Sequence, residues 1–339
     1  MNKQQFNSAL LTWFYENKRK LPWRETSDPY KIWLSEVMLQ QTQVKTVIPY
    51  YNHFIDKYPT LDDIANADST DLLKDWEGLG YYNRIRNFNA ATQEVQAKYN
   101  SIVPDTPHVF QTLKGVGPYI QGAVMSIAFN HKIAAVDGNV MRVYSRIEMY
   151  GEDISKQKTV KFIKQDIESW MSDASGDFNE AMMELGATIC TPKAPKCIIC
   201  PVKDYCKSFK TGTVMDYPVK AKARPKREKS YNVFIIQNKD GALYLEEQGA
   251  DLLKGMYEFP KFDVDTSLDN VAESLGVSLD SDLNYLGEVK HVFTHKQWLL
   301  EVYLIYSNSH HNAFKSLSEL SDLPMSKGMQ KVFELIDGV

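Results

Sequence analysis

The chain has 339 residues, of which 43% are apolar and 24% are charged, an ordinary globular composition that is long enough for two domains. It contains no run of about 18 apolar residues, so no transmembrane helix is predicted. The N-terminal stretch MNKQQFNSALLTWF also lacks the basic-then-apolar pattern of a signal peptide. We therefore expect an intracellular protein.

Charge is distributed unevenly along the chain. Residues 1–229 carry 31 Lys and Arg against 26 Asp and Glu, whereas residues 230–339 carry 8 against 17. A basic N-terminal part beside an acidic C-terminal part is compatible with nucleic-acid binding by the first part. Composition alone does not decide the matter.

Helical patterns occupy most of residues 1–209, separated by Pro, Gly, Asn and Asp breaks. The clearest are FNSALLTWFYENKRK (6–20), residues 29–45, STDLLKDWE (69–77), NRIRNFNAATQEVQAKY (83–99), QGAVMSIAF (121–129) and TVKFIKQDIESWM (159–171). Residues 210–230 are polar, contain two prolines and are typical of a linker. The basic side chains of this linker, which could contact DNA phosphates, are Lys220, Lys222, Arg224, Lys226, Arg227 and Lys229.

After residue 230 the pattern changes to short segments rich in β-branched and aromatic residues. These predicted strands are YNVFIIQ (231–237), ALYLEEQ (242–248), LNYLGEV (283–289) and WLLEVYLIYS (298–307). Helices are predicted over 267–275 and 326–336. The sequence therefore predicts a mainly α-helical region over residues 1–209, a basic linker over 210–230 and an α+β domain over 231–339.

Glu36 lies in WLSEVMLQQTQVK (33–45), in a helix predicted to begin after Asp28, which suits an N-cap and is followed by Pro29. The residues three and four positions from Glu36 are uncharged, so no Lys or Arg pairs with it on its own helix. An apolar setting raises the pKa of a carboxyl group and keeps a proton available near neutrality. Gln41 and Thr42 are predicted to lie one turn onward on the same rigid helix.

A second carboxylate, Asp137, follows a short apolar run and precedes a predicted helix, where an Asp is an ordinary N-cap. The amides and the dipole at a helix N-terminus favour the charged carboxylate, so we expect Asp137 to stay ionised while Glu36 holds a proton. Two carboxyl groups with separated pKa values suit the cleavage of a glycosidic bond, one as the acid and the other as a stabilising anion.

All four cysteines of the chain fall within residues 190–206, in the spacing C-x6-C-x2-C-x5-C, at Cys190, Cys197, Cys200 and Cys206. Four thiols this close in an intracellular protein indicate metal ligands rather than two disulfides. The spacing alone suits either Zn²⁺ or a [4Fe–4S] cluster.

The stretch LKGVGPYIQGAV (113–124) places two glycines ahead of a predicted helix. Gly115, Val116 and Gly117 would form a tight turn with N–H groups pointing outward, and such amides at a helix N-terminus bind phosphate without any side chain. An ordinary interhelical turn is the alternative. In its context the stretch resembles a helix-hairpin-helix DNA-binding motif.

Together these motifs resemble the MutY-type adenine DNA glycosylases of the endonuclease III, or helix-hairpin-helix glycosylase, superfamily. The matching stretches are LPWR (21–24), DPYKIWLSEVMLQQTQV (28–44), GLGYY (78–82), the turn at 113–119, VDGNV (136–140), FNEAMMELGA (178–187), the four-cysteine loop and the C-terminal domain. The resemblance implies a base-excision-repair hydrolase that removes adenine mispaired with 8-oxoguanine or guanine from duplex DNA. It further implies a [4Fe–4S] cluster, and a monomer in the bacterial cytoplasm that associates with the nucleoid and not with membranes.

The resemblance also implies residue roles. Glu36 would protonate N7 of adenine, Asp137 would stabilise the oxocarbenium-like sugar, and Tyr119 and Asn139 would orient these two carboxyl groups. The positions that match the adenine pocket are Trp23, Arg24 and Glu180. The positions that match residues contacting the duplex and the orphaned 8-oxoguanine are Gln41, Thr42, Leu79 and Tyr81, together with the hairpin residues Gly115, Val116 and Gly117.

Two features refine the expected activity. Relatives that cut the strand by β-elimination carry a lysine where this chain has Tyr119, so a monofunctional glycosylase with at most weak lyase activity is implied. The C-terminal domain resembles the Nudix-like 8-oxoguanine-recognition domain of the family, with Phe293, Thr294 and His295 where the family has Phe-Ser-His. It lacks the acidic cluster of a catalytic Nudix box, so pyrophosphatase activity is not expected.

Two alternatives remain at this point. An endonuclease III-like glycosylase and lyase for oxidised pyrimidines is disfavoured by Tyr119 and by the additional domain. A catalytically silent DNA-binding iron–sulfur protein is disfavoured because Glu36 and Asp137 are both present.

Overall fold

The computed structural model describes residues 2–221, 225–249, 253–293 and 296–336. The chain forms two compact units, one made of Met1–Asn66 with Asn87–Lys222 and the other of Ala67–Arg86 with Ala223–Val339. No helix in the described part of the chain is long and apolar enough to cross a membrane.

Helices make up the first unit, as the periodicity predicts. The α-helices from the N-terminus to the end of the cysteine loop, and the one directly after it, are α1 (Lys3–Asn17), α2 (Pro29–Leu39), α3 (Val44–Lys57), α4 (Leu61–Asn66), α5 (Ser69–Asp75), α6 (Asn83–Tyr99), α7 (Pro107–Thr112), α8 (Pro118–Phe129), α9 (Gly138–Glu148), α10 (Gln157–Glu168), α11 (Ser175–Thr188) and α12 (Lys207–Thr211). Of these, α5 and the first residues of α6 belong to the second unit.

Helix α11 is the central helix of the first unit, because it packs against α1, α8 and α9, while α2 packs against α8. Two close contacts in this unit require a glycine, which has no side chain. A Cβ at Gly122 of α8 would lie 2.4 Å from the carbonyl oxygen of Ala134, and a Cβ at Gly186 of α11 would lie 2.6 Å from the Cβ of Asn139. Glycine at these positions therefore lets the backbone before α9, and α9 itself, approach their neighbours closely.

The start of α2 confirms its predicted cap, since the Asp28 side chain accepts a hydrogen bond from the Tyr30 N–H and Pro29 is the first helical residue. The predicted helix over 29–45 is wrong at its other end, because α2 stops at Leu39 and α3 begins at Val44. Gln41 adopts a left-handed φ of 58°, and the Thr42 N–H donates to the Leu39 carbonyl in a tight turn. A residue with positive φ interrupts the helical hydrogen-bond ladder, so Gln41 and Thr42 are not on the helix that carries Glu36.

The second unit contains a mixed sheet in the strand order β6-β7-β1-β2-β8, with β5 also paired to β1. Its strands are β1 (Arg227–Asn238), β2 (Leu243–Tyr244), β5 (Lys261–Asp263), β6 (Asn284–Val292), β7 (Lys296–Ser307) and β8 (Phe314–Lys315), and β3 (Glu246–Glu247) with β4 (Tyr257–Glu258) forms a separate pair. Strands β1 and β7 are parallel over their whole length, while the other pairs are antiparallel.

Helices cover both faces of this sheet. Helix α13 (Leu268–Leu275) packs on one face, and α14 (Leu317–Asp322) with α15 (Lys327–Phe333) packs on the other. The apolar run at 233–236 in β1 is accordingly buried without alternation, as expected for a strand covered on both sides. The sequence prediction missed α14, although Ser316 and Glu319 form the S-x-x-E capping box that marks its start.

Two observations bear on the predicted domain boundaries. Strand β1 begins at Arg227, inside the predicted linker, because its first residues pair with the start of β7. Residues 67–86 pack with the C-terminal part of the chain, where the Lys74 Nζ donates to the Leu323 carbonyl at 3.1 Å and the Met325 N–H donates to Glu77 Oε1 at 2.7 Å. Lys222 and Arg224 of the linker lie outside the described residues. The boundaries at 209, 230 and 231 stay a prediction.

Candidate active site

Glu36 lies on the part of α2 where residues 32–38 are all buried, and its own side chain is only 4% exposed. The Tyr119 hydroxyl donates a hydrogen bond to Glu36 Oε2 at 2.6 Å. Burial raises the pKa of Glu36 to about 7, and the nearby charges of Glu180 and Asp137 act in the same direction, while the Tyr119 hydrogen bond and Arg24 lower it. The prediction that an apolar setting keeps a proton on Glu36 near neutrality is confirmed.

Tyr119 is the second residue of α8 and directs its hydroxyl to Glu36. The sulfur of Met183 on α11 lies 3.4 Å from the same hydroxyl oxygen. Burial and the adjacent Glu36 raise the pKa of Tyr119 well above its ordinary value, so the phenol stays protonated and acts as a hydrogen-bond donor.

Asp137 caps α9, accepting hydrogen bonds from the Val140 N–H at 2.7 Å and from the Asn139 amide at 2.9 Å. This confirms the predicted N-cap. Burial raises the pKa of Asp137 above its ordinary value even though these hydrogen bonds and the nearby Arg142 favour the charged form, so the helix amides do not dominate its pKa as expected. That Asp137 stays ionised is still a prediction. The helix amides can be read from the sequence, whereas the loss of solvent at this carboxyl cannot.

Asn139 links the capping carboxylate to the region around the cysteines. Its side-chain oxygen accepts a hydrogen bond from Arg142 at 2.8 Å. The same guanidinium donates to the carbonyl of Gly186 at 2.7 Å and, through Nε, to the carbonyl of Cys190 at 2.8 Å. Arg142 therefore joins α9, α11 and the first cysteine in one buried network.

Arg24 and Glu180, predicted for the same pocket, form an ion pair with 2.6 Å between Arg24 Nε and Glu180 Oε1. Glu184, one turn further along α11, also contacts Arg24 at 3.1 Å and holds Arg19 at 2.6 Å. Burial raises the pKa of Glu180; at Glu184 the two arginines overcome the effect of burial, and the pKa is lowered. The sequence reasoning missed Glu184, whose i, i+4 spacing from Glu180 could have placed it on the same helix face.

The other predicted contact residues fall at separate places. Trp23 is 6% exposed and packs edge-to-face on Tyr51 with ring centroids 5.4 Å apart. Gln41 is exposed in the turn between α2 and α3. Leu79 and Tyr81 belong to the second unit, where Leu79 is buried and Tyr81 is 43% exposed with a φ of 50°.

The predicted hairpin turn precedes α8. Gly115 has a φ of 82°, and a Cβ there would lie 2.8 Å from the Cβ of Asn87, so this position needs glycine. Gly117 caps α8 with an ordinary φ of −85°, and a Cβ there would meet no atom within 4 Å. Neither the backbone nor the packing of the described residues demands glycine at 117, which leaves the N-terminus of α8 open to an approaching group. Val116 is buried between the two glycines.

The four cysteines form no disulfide and line one cavity, together with apolar side chains that include Val143, Ile147 and Leu185. Arg146 reaches this cavity with a side chain that is almost fully buried. Its guanidinium donates to the Cys190 sulfur at 3.3 Å and to the carbonyls of Cys190, Thr191 and Pro192. Four thiol ligands, an apolar wall and one fixed positive charge suit a cluster that carries net negative charge.

Phe293, at the start of the predicted 8-oxoguanine loop, packs edge-to-face on His291 and Trp298 with ring centroids 4.4 and 4.6 Å away. The Lys226 Nζ donates to its carbonyl at 2.8 Å. Thr294 and His295 lie outside the described residues.

Comparison with known proteins identifies the family. Residues 34–169 match the helix-hairpin-helix superfamily of base excision DNA repair proteins, residues 190–206 match the iron–sulfur binding domain of endonuclease III, and residues 232–335 match the NUDIX domain. The chain is 33% identical to an adenine DNA glycosylase of Rattus norvegicus, covering 98% of this chain and 78% of the relative. It is 30% identical to one from Buchnera aphidicola subsp. Schizaphis graminum, covering 97% and 98%. The chain belongs to the MutY-type adenine DNA glycosylases.

Solved structures agree on the fold of the helical part. A thermostable thymine-DNA glycosylase matches with a TM-score of 0.56 and 30% identity, covering 62% of this chain and 97% of that one. A trapped endonuclease III–DNA covalent intermediate matches with a TM-score of 0.53 at 24% identity, which shows the shared fold alone.

Membership of the family settles several expectations. This MutY-type chain is an adenine DNA glycosylase of base excision repair that acts on DNA, with a helical glycosylase region and an α+β Nudix-like C-terminal domain. The cysteine loop holds a [4Fe–4S] cluster, which resolves the alternative of Zn²⁺. The readings of the chain as an endonuclease III-like enzyme and as a silent binding protein are set aside.

The buried guanidinium beside the cysteines gives a prediction for cluster loading. Arg146→Leu removes the donors to the Thr191 and Pro192 carbonyls and to the Cys190 sulfur, and it removes the buried positive charge beside the cysteines. Iron and acid-labile sulfide should fall from about four of each per chain in the parent protein to less than half of that, with loss of the yellow-brown absorbance. The matched control is Lys193→Ala, an exposed position in the same loop, which should keep the full content. Full loading of Arg146→Leu would contradict the inferred role.

Proposed function

We propose that the enzyme hydrolyses the N-glycosidic bond of adenine mispaired with 8-oxoguanine or guanine, with Glu36 as the general acid and Asp137 as the stabilising anion. The observation that carries the proposal is the buried Glu36, with its pKa raised to about 7 and the Tyr119 hydroxyl 2.6 Å from its carboxyl. A general acid acts best when its pKa lies near the working pH.

Adenine must leave the base stack to reach a buried acid, at a cost of a few kcal/mol that is lower for a mispaired base. Glu36 then transfers its proton to N7, the electron pair of the C1′–N9 bond passes to the base, and adenine departs neutral. The Tyr119 hydroxyl stabilises the carboxylate that remains, because a hydrogen bond to an ionised acceptor is stronger than one to a neutral acceptor. Tyr119 thus stabilises the conjugate base of the acid.

Loss of adenine leaves positive charge on the sugar, and Asp137 supplies the opposite charge. Its carboxylate is held in place by the Val140 N–H and by Asn139, whose own orientation is fixed by Arg142. A water molecule then supplies hydroxide to C1′ and gives its proton to a site carboxylate, which completes hydrolysis and leaves an abasic site. Burial raises the pKa of Asp137 and so disfavours its charge. The positive charge that forms on the sugar favours the carboxylate, so the interaction is strongest in the transition state.

Trp23, Arg24 and Glu180 are proposed to form the adenine pocket. Arg24 and Glu180 fix each other through their ion pair, so that neither side chain is free to turn when the base enters. Trp23 is locked by its packing on Tyr51 and offers a rigid aromatic surface. A rigid pocket positions N7 against Glu36 at low entropic cost.

Backbone N–H groups and side chains from several turns are proposed to hold the duplex. The open N-terminus of α8, with Gly115, Val116 and Gly117 before it, offers N–H groups to a phosphate. Gln41 and Thr42 in their turn, and Leu79 and Tyr81 in the second unit, are proposed to contact the opened stack. Phe293, with Thr294 and His295, is proposed to contact 8-oxoguanine.

The proposal includes a monofunctional reaction. A lyase needs an amine that forms a Schiff base with the sugar, and the phenol of Tyr119 cannot form one. We further propose that the enzyme works as a monomer in the bacterial cytoplasm, in association with the nucleoid that holds its substrate.

A substrate panel tests the proposed specificity. Duplexes carrying adenine opposite 8-oxoguanine, adenine opposite guanine, or thymine glycol are incubated with the protein and analysed with and without hot alkali. Because hydrolysis leaves an intact strand with an abasic site, we expect cuts only after alkali and only in the adenine strand. Cutting at thymine glycol without alkali would contradict the proposal.

The role of Glu36 is tested by Glu36→Gln, which keeps the side-chain size and removes the transferable proton. General acid catalysis contributes about a hundredfold to ten-thousandfold, so single-turnover excision should fall by at least about a hundredfold. Affinity for the mispaired duplex, measured by fluorescence anisotropy, should stay within about threefold of the parent value. The control Glu16→Gln changes an exposed glutamate of α1 and should leave both quantities unchanged. Excision at the parent rate by Glu36→Gln would exclude Glu36 as the acid.

A further inference from the structure

The Tyr119 hydroxyl has two acceptors within reach among the described residues. Glu36 Oε2 lies 2.6 Å from the hydroxyl oxygen and the Met183 sulfur lies 3.4 Å from it. A phenol carries a single proton, so it cannot donate fully to both acceptors at once. The thioether is the weaker acceptor, and the hydroxyl turns to it only when the carboxyl attracts the phenol proton less strongly.

We propose that Met183 is a positioning residue for the acid, because its sulfur accepts the Tyr119 hydroxyl proton whenever Glu36 is itself protonated. The proposal rests on the proposed role of Glu36. An ionised Glu36 holds the hydroxyl by a charge-assisted hydrogen bond, whereas a protonated Glu36 can donate to the hydroxyl oxygen, which then needs another acceptor for its own proton. Met183 is placed to provide it.

A weak acceptor is what this arrangement requires. A strong acceptor at position 183 would hold the hydroxyl away from Glu36 in both states, and the carboxylate left after proton transfer would lose its donor. When the proton of Glu36 is on Oε2 and is donated to the hydroxyl, a side chain without an acceptor at position 183 would leave the buried hydroxyl proton unsatisfied, which is unfavourable. With a thioether, the hydroxyl serves both states of the acid.

The helix that carries Met183 supports its assignment to the site. On α11, Met183 lies three residues after Glu180, whose charge acts on Glu36, so the two side chains are neighbours on one helix face. Met182 on the same helix is fully buried in the apolar core, whereas Met183 packs only partly buried against that core and its sulfur reaches the Tyr119 hydroxyl. The two neighbouring methionines therefore occupy different environments, and Met182 is a matched control.

Other groups also act on the charge of Glu36 and must stay constant in a test. They are Tyr119 from α8, Asp137 at the start of α9, Glu180 from α11, and Arg24 from the turn before α2. Met→Leu changes none of these groups and nearly conserves the side-chain volume, so it removes the acceptor with little change in packing.

The test compares Met183→Leu with Met182→Leu in the cluster-loaded protein. The protonation of Glu36 is followed by infrared titration of its carboxylic-acid band, which is assigned by its loss in Glu36→Gln. Without the sulfur, the protonated state is less favourable, so the pKa of Glu36 should fall by about half a unit in Met183→Leu and stay unchanged in Met182→Leu. The pH dependence of single-turnover excision, normalised to its acid plateau, should shift equally and give about threefold lower rates on the alkaline side.

A dependence on Tyr119 distinguishes this role from a general packing role. In the Tyr119→Phe background there is no hydroxyl proton to redirect, so adding Met183→Leu should cause no further shift in the Glu36 band. If Met183→Leu loses iron or unfolds, site-specific replacement of Met183 by norleucine removes the sulfur alone and gives the same comparison.

The outcomes separate the inference from the proposed function. An unchanged Glu36 titration in a folded, cluster-loaded Met183 variant overturns the inference, and it leaves the role of Glu36 as acid intact if Glu36→Gln is inactive. A shifted titration without a matching shift in the rate supports the inference and contradicts Glu36 as the acid.

Discussion

The hydrogen bond between Tyr119 and Glu36 is the interaction on which the rest of the site depends. A carboxyl group that is almost completely removed from water would strongly resist losing its proton, and one held by a strong cation would never keep it. The Tyr119 hydroxyl is a neutral donor 2.6 Å from the carboxyl of Glu36, and it offsets only part of the effect of burial. The pKa of Glu36 is therefore raised to about 7. The bond can form because α2 and α8 pack directly on each other.

The second carboxylate depends on a different part of the same unit. Asp137 caps α9, and the next turns of that helix carry Arg142 and Arg146 toward the first cysteine of the cluster loop. Asn139 closes the connection by accepting from Arg142 and donating to Asp137. The cysteine loop and Asp137 are therefore held by one helix, so loosening the loop would disturb the orientation of Asp137 without any direct contact between cysteine and carboxylate.

Local patterns predicted much of this structure. The capping of α2 by Asp28 and the N-cap at Asp137 follow from residues within one turn of each other, and both are confirmed. The raised pKa of Glu36 was predicted from the uncharged residues around it on its own helix, and burial raises that pKa. The end of α2 could not be predicted from the local residues, because residues 40–43 contain no Gly or Pro to mark a break, while the left-handed backbone at Gln41 ends the helix. The raised pKa of Asp137 was missed because the burial of a cap residue depends on distant packing. Glu184 and Met183 were missed for the same reason, since their partners Arg19, Arg24 and Tyr119 lie far away in the sequence.

Proton transfer from Glu36 to N7 of adenine is the central step of the proposed reaction, and a modified substrate tests this step directly. A duplex with 7-deazaadenine opposite 8-oxoguanine keeps the shape and pairing face of adenine but has a carbon in place of N7. We expect the enzyme to bind this duplex about as tightly as the adenine duplex and to release no detectable base from it in a single-turnover assay at pH about 7. Release of 7-deazaadenine at a rate near that of adenine would contradict it.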